Sequence, residues 1–292
     1  MPAELIDGKT IAQKVCEEVA AEVAKRAAAG KPAPILATVL VGNRLDSAAY
    51  VSSKAKACLE LGIGSISEHL PADSKQEQVE GLVKQLNADA KVSGILIQLP
   101  LPAHINEERV LSLVNIEKDV DGLSPANIGR LAQKGRQTFF LPCTPYGCIY
   151  LLEQAGVKFD GANAVVLGRS NIVGLPVAFL LIRKNATVTV CHSHTRDLPT
   201  VVRQADILIA AIGKMEMVRG NWIKPGAAVI DVGINEKADS SKKKGYRLVG
   251  DVNFEEAVQV AGWLTPVPGG VGPMTIAMLM KNILQAANIQ NP

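Results

Sequence analysis

Several features that would assign the chain to a special class of protein are missing from its 292 residues. Its five cysteines are an odd number without a C-x-x-C spacing, which argues against a disulfide framework or a structural zinc site. No apolar run approaches the roughly 18 residues of a transmembrane helix. The early acidic residues Glu4 and Asp7 do not fit a signal peptide. We therefore expect a soluble, cytoplasmic protein with reduced thiols and no membrane partner.

A strong charge of either sign is also missing. The chain has 31 basic and 28 acidic residues, and a net charge of +3 gives no basis for a nucleic-acid surface. The densest basic run, Lys242–Arg247, follows two serines and is typical of a solvated loop. No nucleic-acid partner is expected.

What is present is an alternation of apolar strands and helices. In the second half, strand runs at 164–167, 187–191, 206–212 and 227–233 are separated by helix-length segments at 174–184 and 195–204 and by a loop. This order predicts a doubly wound, parallel sheet of the α/β class. The first half also alternates, and the length fits about two domains, each of roughly 100–200 residues.

Polar residues predict where several helices begin. Ser47 is a candidate N-cap after the loop Asn43–Asp46, and Ser74–Glu77 has the pattern of a capping box. Ser124-Pro125 and Thr144-Pro145 each combine a cap with proline at the first helical position. The chain closes with an apolar helix predicted over 273–287.

The segment Ala164–Pro176 is an apolar strand that breaks into a turn bounded by Gly168 and Gly174. Its G-x-S-x-x-x-G order departs from the usual dinucleotide motif, so alone it fits either a cofactor turn or an ordinary connection. The strand-turn-helix context favours a cofactor, with an anion at the helix N-terminus. The next strand ends in Cys191–Thr195 without the carboxylate of an NAD site. Arg169 and Ser193 would instead hold a 2′-phosphate, which indicates NADP.

A second candidate site combines Tyr50 and Lys54, four residues apart on one helix face, with Gln98 in an apolar strand and the Asp119/Asp121 turn. By spacing alone, the lysine would be a solvated charge and the tyrosine a packing residue. The ends of parallel strands are, however, where open α/β sheets bind ligands. A lysine enclosed there would exchange protons near neutral pH.

The four histidines do not predict a metal site. His192 and His194 would point to one side of a strand, but no third ligand is positioned beside them. His69 and His104 are expected at the surface without partners. We expect no metal.

The segment Thr265–Thr275 contains three prolines and three glycines, which predicts a rigid backbone that a ligand can approach closely. A turn built only for packing is the alternative.

Together these segments resemble the bifunctional methylenetetrahydrofolate dehydrogenase/methenyltetrahydrofolate cyclohydrolase family over nearly the whole chain. The motifs that carry the resemblance are Tyr50-x-x-x-Lys54, Gly94-Ile-Leu-Ile-Gln-Leu-Pro-Leu-Pro102, Lys118-Asp-Val-Asp-Gly122, Pro142-Cys-Thr-Pro145, Gly168-Arg-Ser-x-x-Val-Gly-x-Pro176, Asp231-Val-Gly-Ile234 and Pro266-Val-Pro-Gly-Gly-Val-Gly-Pro-Met-Thr275.

The resemblance implies a folate-binding catalytic domain over 1–139 plus 272–292 and a Rossmann NADP-binding domain over 140–271, with a folate cleft between them. By motif, Lys54 would transfer the proton in hydrolysis, Gln98 would tune it, Tyr50 would stack on the folate and Asp121 would bind the pterin. The resemblance also implies a homodimer through the Rossmann domains. The implied cofactor contacts are Gly168, Arg169, Ser170, Ser193 and Ile234, and the implied cleft border is Pro268, Gly269 and Gly270.

Three positions depart from the family pattern. Asn43–Asp46 replaces the usual Asp-x-Pro-Ala, Ile116 stands where proline is common, and His194 stands where lysine or arginine is frequent. Two other readings remain open on the sequence: an NADP oxidoreductase similar to shikimate dehydrogenase, and a folate- or nucleotide-binding protein without catalysis.

Overall fold

The structure is a computed structural model that describes residues 2–242 and 244–291, and for Leu45 and Asp46 the backbone only. It contains two compact units. The first comprises Met1–Ala12 and Thr144–Thr275, and the second comprises Gln13–Cys143 and Ile276–Pro292. Lys243, within the basic run of the sequence, lies outside the described residues.

The strands in chain order are β1 (Glu4–Leu5), β2 (Ile35–Val41), β3 (Gly64–Leu70), β4 (Gly94–Ile97), β5 (Asn163–Leu167), β6 (Thr187–Cys191), β7 (Ile207–Ala210), β8 (Ala228–Asp231), β9 (Asn235–Ala238), β10 (Tyr246–Val249) and β11 (Trp263–Leu264). The α-helices are α1 (Gly8–Ala28), α2 (Leu45–Glu60), α3 (Gln76–Ala88), α4 (Glu107–Leu113), α5 (Pro125–Ala132), α6 (Cys143–Gln154), α7 (Gly174–Arg183), α8 (Leu198–Val202), α9 (Phe254–Ala257) and α10 (Val271–Gln290).

The first unit is built on a parallel sheet in the order β1-β11-β8-β7-β5-β6. The chain leaves β5 for β6 on one side and returns to β7 on the other, so the strand order reverses beside β5. Apolar side chains bury both faces, as the uninterrupted strand runs predict. The carboxyl end of β5 is therefore a topological switch point, where open α/β sheets bind ligands.

The second unit contains a three-stranded parallel sheet in the order β3-β2-β4. Its central strand β2 is buried from Leu36 onward and packs with β4 and α3 in one apolar core. The carboxyl end of β4 leads directly into Gln98. The predicted two-domain α/β fold is thus confirmed.

The first unit also includes the first residues of the chain, which the sequence analysis assigned to the folate-binding domain. β1 pairs with β11, which joins the first residues of the chain to the six-stranded sheet and not to the unit that holds β2. Such a two-residue strand has no periodicity from which to predict it. The assignment of folate binding and NADP binding to separate domains stays a prediction.

The sequence predicted one helix start correctly and three others incorrectly. Ser124 caps α5 through its side chain, with proline after it, as expected. The Ser47 and Ser74 predictions are wrong: α2 begins at Leu45 with Ser47 buried inside it, and Gln78 accepts the N–H of Lys75, which shifts the box by one residue. The Thr144 prediction is also wrong, since Thr144 lies within α6 and its hydroxyl lies 2.9 Å from that of Thr275.

Other elements differ in length. The helix predicted over 195–204 is the single turn α8, and the final helix extends beyond its predicted ends to Val271–Gln290. The sequence analysis missed β9, which pairs antiparallel with β10 and whose four residues are mostly polar. In the described ranges 2–242 and 244–291, no helix combines the length and apolarity needed to cross a bilayer.

Candidate functional site

Lys54 and Gln98 meet in the second unit. The amine of Lys54, on α2, donates a hydrogen bond of 3.0 Å to Oε1 of Gln98. The Gln98 amide nitrogen donates to the carbonyl of Leu99 at 2.9 Å, which turns Oε1 toward the lysine. Lys54 is only 9% exposed, whereas Tyr50, one turn earlier, is 48% exposed. A fixed amine beside an exposed aromatic ring is suited to proton transfer on a flat ligand.

Asp121 belongs to the same electrostatic group. Burial raises the pKa of its carboxyl, and the nearby charge of Lys54 and a hydrogen bond from Cys143 oppose that rise. Cys143 is itself buried, and burial raises the pKa of its thiol well above the ordinary value. The structure thus brings Lys54, Gln98 and Asp121 together, with Cys143 as a neighbour.

Asp119, two residues before Asp121, has structural partners. Asp119 is buried, and its carboxylate accepts hydrogen bonds from the N–H groups of Leu123 and Ser124 and from the Asn127 amide. Burial raises the pKa of Asp119 to about 6. Its side chain therefore braces the start of α5.

In the first unit, the turn after β5 has the geometry that the glycines predict. Gly168 has φ +111°, and a Cβ there would overlap the carbonyl oxygen of Ala211. A Cβ at Gly174 would overlap the carbonyl of Gly168. Ser170 Oγ accepts the N–H groups of Val173 and Gly174 at 3.2 Å, so it caps the start of α7.

A cavity of about 300 Å³ lies beside this turn. Gly168, Arg169 and Ser170 line it from β5, His192 and Ser193 from the end of β6, and Ile212 from the end of β7. Arg169 and Ser193 are both exposed on its wall. A close-approach glycine, a helix start and a guanidinium around one cavity fit a phosphate-bearing dinucleotide.

Comparisons with known proteins agree with this geometry. A family model described as "Tetrahydrofolate dehydrogenase/cyclohydrolase, catalytic domain" matches residues 6–121, and one described as "Tetrahydrofolate dehydrogenase/cyclohydrolase, NAD(P)-binding domain" matches residues 142–291. The chain belongs to the tetrahydrofolate dehydrogenase/cyclohydrolase family. The "Bifunctional protein FolD 2" of Arabidopsis thaliana is 56% identical over 285 residues, which are 98% of this chain and 95% of that protein.

Solved structures separate this family from the alternative oxidoreductase. The Trypanosoma brucei methylenetetrahydrofolate dehydrogenase-cyclohydrolase, solved with NADP and an inhibitor, superposes with a TM-score of 0.95 at 45% identity, covering 99% of this chain and 98% of its own. The shikimate 5-dehydrogenase of Thermus thermophilus reaches a TM-score of 0.54 at 17% identity, covering 88% of this chain and 99% of its own. The latter likeness shows a related fold alone.

Other residues that the family resemblance implies lie around a second cavity of the first unit. Ile234 and Pro268–Gly270 line this space of about 150 Å³ together with Asp231. Ile234 is 49% exposed. The expected cofactor residues are therefore divided between two cavities of one unit. Four of them line the cavity beside the β5 turn, and Ile234 lines the second cavity.

The surroundings of the four histidines differ in part from those that the sequence predicts. β6 ends at Cys191, so His192 and His194 lie in a turn, where the His194 N–H donates to His192 Nδ1 at 3.2 Å. No cluster of three metal-ligating side chains occurs among the residues that the structure describes. His69 and His104 are exposed, as expected, but each has a partner, since each lies within hydrogen-bond distance of a backbone carbonyl, of Gly42 and Ser74 respectively.

The sequence analysis assigned no role to three buried polar residues, Lys118, Asp231 and Asp251. Lys118 donates to the carbonyls of Leu86, Asn87 and Asp89, which end α3. Asp231 and Asp251 are buried and linked through a hydrogen bond from the Asp251 N–H to Asp231 Oδ1. An ionisable residue beside an apolar strand could have indicated each of them. A buried ionisable group requires a partner, but the local sequence does not identify that partner.

Proposed function

We propose that this chain oxidises 5,10-methylenetetrahydrofolate to 5,10-methenyltetrahydrofolate with NADP, and then hydrolyses the product to 10-formyltetrahydrofolate. The hydrogen bond of 3.0 Å between Lys54 and Gln98 carries the proposal. A solvated surface lysine would have no reason to lie buried against a fixed amide oxygen. Membership of the family and the NADP-bound relative support both halves of the reaction.

In the hydrolytic half, Lys54 transfers the proton. Water adds to the methenyl carbon and loses one proton, which leaves a hydroxyl group on that carbon. As the bond from the carbon to N5 breaks, the hydroxyl loses its proton and becomes the formyl carbonyl, and N5 takes up a proton, so that one proton is released overall. Gln98 Oε1 holds the lysine amine in place, so that the amine faces the reacting water in a fixed orientation. The positioned amine is worth a rate factor of roughly 10²–10⁴ in general acid–base catalysis.

Folate is held by residues of contrasting character. The exposed ring of Tyr50 offers a flat apolar face for stacking, and the carboxyl of Asp121 offers hydrogen bonds to the pterin. Pro268, Gly269 and Gly270 present a backbone without large side chains, which leaves room for the substrate.

NADP would supply the hydride acceptor for oxidation of the methylene carbon of the folate. Arg169 and Ser193, which line one cavity with Gly168 and Ser170, would hold its 2′-phosphate. Ser170 fixes the start of α7, and Gly168 lets the cofactor backbone approach. Ile234 offers an exposed apolar surface in the second cavity, suited to the nicotinamide ring.

The decisive experiment assays both products from one purified sample. Methylenetetrahydrofolate and NADP should yield NADPH and 10-formyltetrahydrofolate together. Folate or NADP binding without turnover would identify a binding protein and reject the proposal. NADPH formed from shikimate, with none from methylenetetrahydrofolate, would reject it in favour of the alternative oxidoreductase.

The proposal includes a homodimer formed through the Rossmann domains. In support, β6 is an edge strand of the six-stranded sheet, and its residues alternate between exposed and partly buried positions. An unpaired strand edge is a ready surface for a second copy. Light scattering at rising concentration should give twice the chain mass, and a monomer throughout would reject this part.

We also place the protein in a reducing compartment, the cytoplasm. Four of its free thiols are buried: Cys58, Cys143, Cys148 and Cys191. Such thiols are common where glutathione keeps cysteine reduced. A fluorescent fusion found outside the cytoplasm would contradict this placement.

A further inference from the structure

Asp251 is a fully buried carboxylate that holds two separate segments of the first unit. Its Oδ2 accepts the backbone N–H groups of Ile212 at 2.7 Å and Gly213 at 2.9 Å. Its Oδ1 accepts the side-chain amide of Asn235 at 3.0 Å. Hydrogen bonds to a charged group each contribute more than neutral ones.

The two segments form walls of the two cavities. Ile212 follows β7 and lines the cavity that contains Gly168 and Arg169. Asn235 directly follows Ile234, which lines the second cavity. Asp251 therefore connects the wall beside the phosphate-binding turn with the wall that carries Ile234.

Asp231 fixes the backbone at Asp251 through hydrogen bonds. Its carboxylate accepts the N–H groups of Asp251 and Val252, both at 2.9 Å, and of Gly233 at 3.1 Å. A Cβ at Gly250 would overlap the Asp231 carboxylate, so the backbone must approach closely here. Only glycine therefore fits at position 250, beside the carboxylate of Asp231.

We propose that Asp251 is a positioning residue for NADP, which sets the position of the Ile212 segment, in the wall of the cavity beside the β5 turn, relative to the segment that carries Ile234. This inference rests on the proposed function. It adds a residue that touches neither the folate nor the reacting atoms, yet fixes two segments that line the cavities proposed to hold the cofactor.

The position of Asp251 argues for this role over general bracing. Asp206 is an aspartate of the same unit that accepts the Asn163 N–H at 2.9 Å and pairs with Lys224. It lies at the amino-terminal ends of β5 and β7, away from the strand ends where ligands bind. Asp206→Asn is therefore a matched control that removes charge from a backbone brace without touching the cofactor cavities.

The chain offers a rescue variant that tests whether the hydrogen bond to Asn235 carries the effect. In Asp251→Asn the new amide can still accept the Ile212 and Gly213 N–H groups, but its NH₂ faces the NH₂ of Asn235. Adding Asn235→Asp replaces that second donor with an acceptor. The double variant Asp251→Asn/Asn235→Asp thus restores the hydrogen bond between positions 251 and 235 with donor and acceptor exchanged, while the Ile212 and Gly213 N–H groups still donate to residue 251.

The test measures NADP affinity, the kcat and KM for NADP, and hydrolysis of methenyltetrahydrofolate supplied directly. Asp251→Asn should weaken NADP binding or kcat/KM about tenfold, the loss expected for a hydrogen bond to a charged group. Hydrolysis should stay within about twofold, and the double variant should recover most of the NADP loss. Hydrogen exchange without NADP should show faster exchange at Ile212 and Gly213 in Asp251→Asn, and not in Asp206→Asn.

Unchanged NADP binding in Asp251→Asn would overturn the inference. So would an equal loss in Asp206→Asn, or a loss in Asp251→Asn that the double variant does not recover. Should Asp251→Asn fail to fold, Asn235→Ala removes only the link to the Ile234 segment and should still raise the KM for NADP. A wild-type protein that forms no NADPH would instead reject the proposed function, so the two failures are distinguishable.

Discussion

Lys54 donates a hydrogen bond to Gln98 across 44 positions of sequence. The contact forms because α2 begins soon after β2, and β4 pairs with β2 in a parallel sheet. The helix therefore passes near the carboxyl end of β4, where Gln98 emerges. The topology of three elements places the amine against the amide oxygen, and the proposed hydrolysis depends on that arrangement.

Arg169 should determine the preference for NADP over NAD. Its guanidinium lies on the wall of the cavity beside the β5 turn, where a 2′-phosphate would need a positive partner. Arg169→Ala should reduce the ratio of kcat/KM for NADP to that for NAD by about ten- to hundredfold. Arg183→Ala, at the far end of α7, is the control. An unchanged ratio in Arg169→Ala would reject the assignment.

Gly174 should tolerate no side chain. A Cβ there would overlap the carbonyl of Gly168 and press against the Arg169 nitrogen, which would push α7 away from the β5 turn. Gly174→Ala should weaken NADP binding by at least about tenfold, because misplacement by about 1 Å is costly at a bound ligand. Gly81→Ala is the control, since open space surrounds that helical glycine and alanine should stabilise α3. Equal NADP affinity in the wild type and Gly174→Ala would contradict the geometry.

Lys118 should stabilise the second unit. Its buried amine donates to the carbonyls of Leu86, Asn87 and Asp89 at 2.7–3.1 Å. Leu86 and Asn87 belong to the last turn of α3, where carbonyls lack partners within the helix. Lys118→Met should lower the free energy of unfolding by about 1–3 kcal/mol in urea titration. The exposed neighbour Lys91→Met should change it by less than about 0.5 kcal/mol. Equal effects of the two substitutions would show that the capping contacts contribute little.

Asp231 should make the stability of the fold depend on pH. Burial, with added repulsion from Asp251, raises the pKa of its carboxyl to about 7. An unfolded aspartate titrates near about pH 4, so the folded chain binds this proton where the unfolded chain has lost it. The stabilisation is complete below about pH 4 and is lost as the pH rises through about 7, with a slope of at most about 1.4 kcal/mol per unit.

Asp231→Asn isolates this contribution. Urea unfolding of the wild type and the variant should give free energies whose difference, wild type minus variant, falls between about pH 4 and about pH 7 and is level above. Asp206→Asn is a control, because a hydrogen bond with Lys224 lowers the pKa of Asp206, so its contribution is lost only as the pH falls below about 4 and should be level between about pH 4 and about pH 7. A difference that is constant across the range would show that Asp231 does not titrate with this sign.

The fold was predictable where local sequence determines local structure. The apolar runs of β2 and β5 are buried on both faces, and the Ser124-Pro125 pair caps α5 as its chemistry predicts. The Ser47 and Thr144 predictions failed because the same residue types have other uses: Ser47 is buried within α2, and Thr144 approaches Thr275. The packing of a helix against the rest of the protein helps to set the residue at which it begins, and the local sequence does not specify that packing.

The candidate site was predictable to the extent that its residues stand at strand ends. That pattern pointed to Gln98 and to the β5 turn, and the structure places the amine of Lys54 against Gln98. The roles of Asp251 and Lys118 could not be predicted, because Asp251 bonds to Ile212 39 positions away and Lys118 to Leu86 32 positions away. Long-range partners of buried charges depend on the completed fold.

The central claim is that Lys54 transfers the proton of hydrolysis in a chain that also uses NADP. The direct measurement is the rate at which Lys54→Met hydrolyses methenyltetrahydrofolate, compared with its affinity for NADP. Lys56→Met is the matched control, since Lys56 lies exposed on the same helix beside Glu60. We predict that hydrolysis by Lys54→Met falls by about 10²-fold or more, while NADP affinity stays within about twofold and Lys56→Met behaves as the wild type. Hydrolysis by Lys54→Met at the wild-type rate would contradict the account.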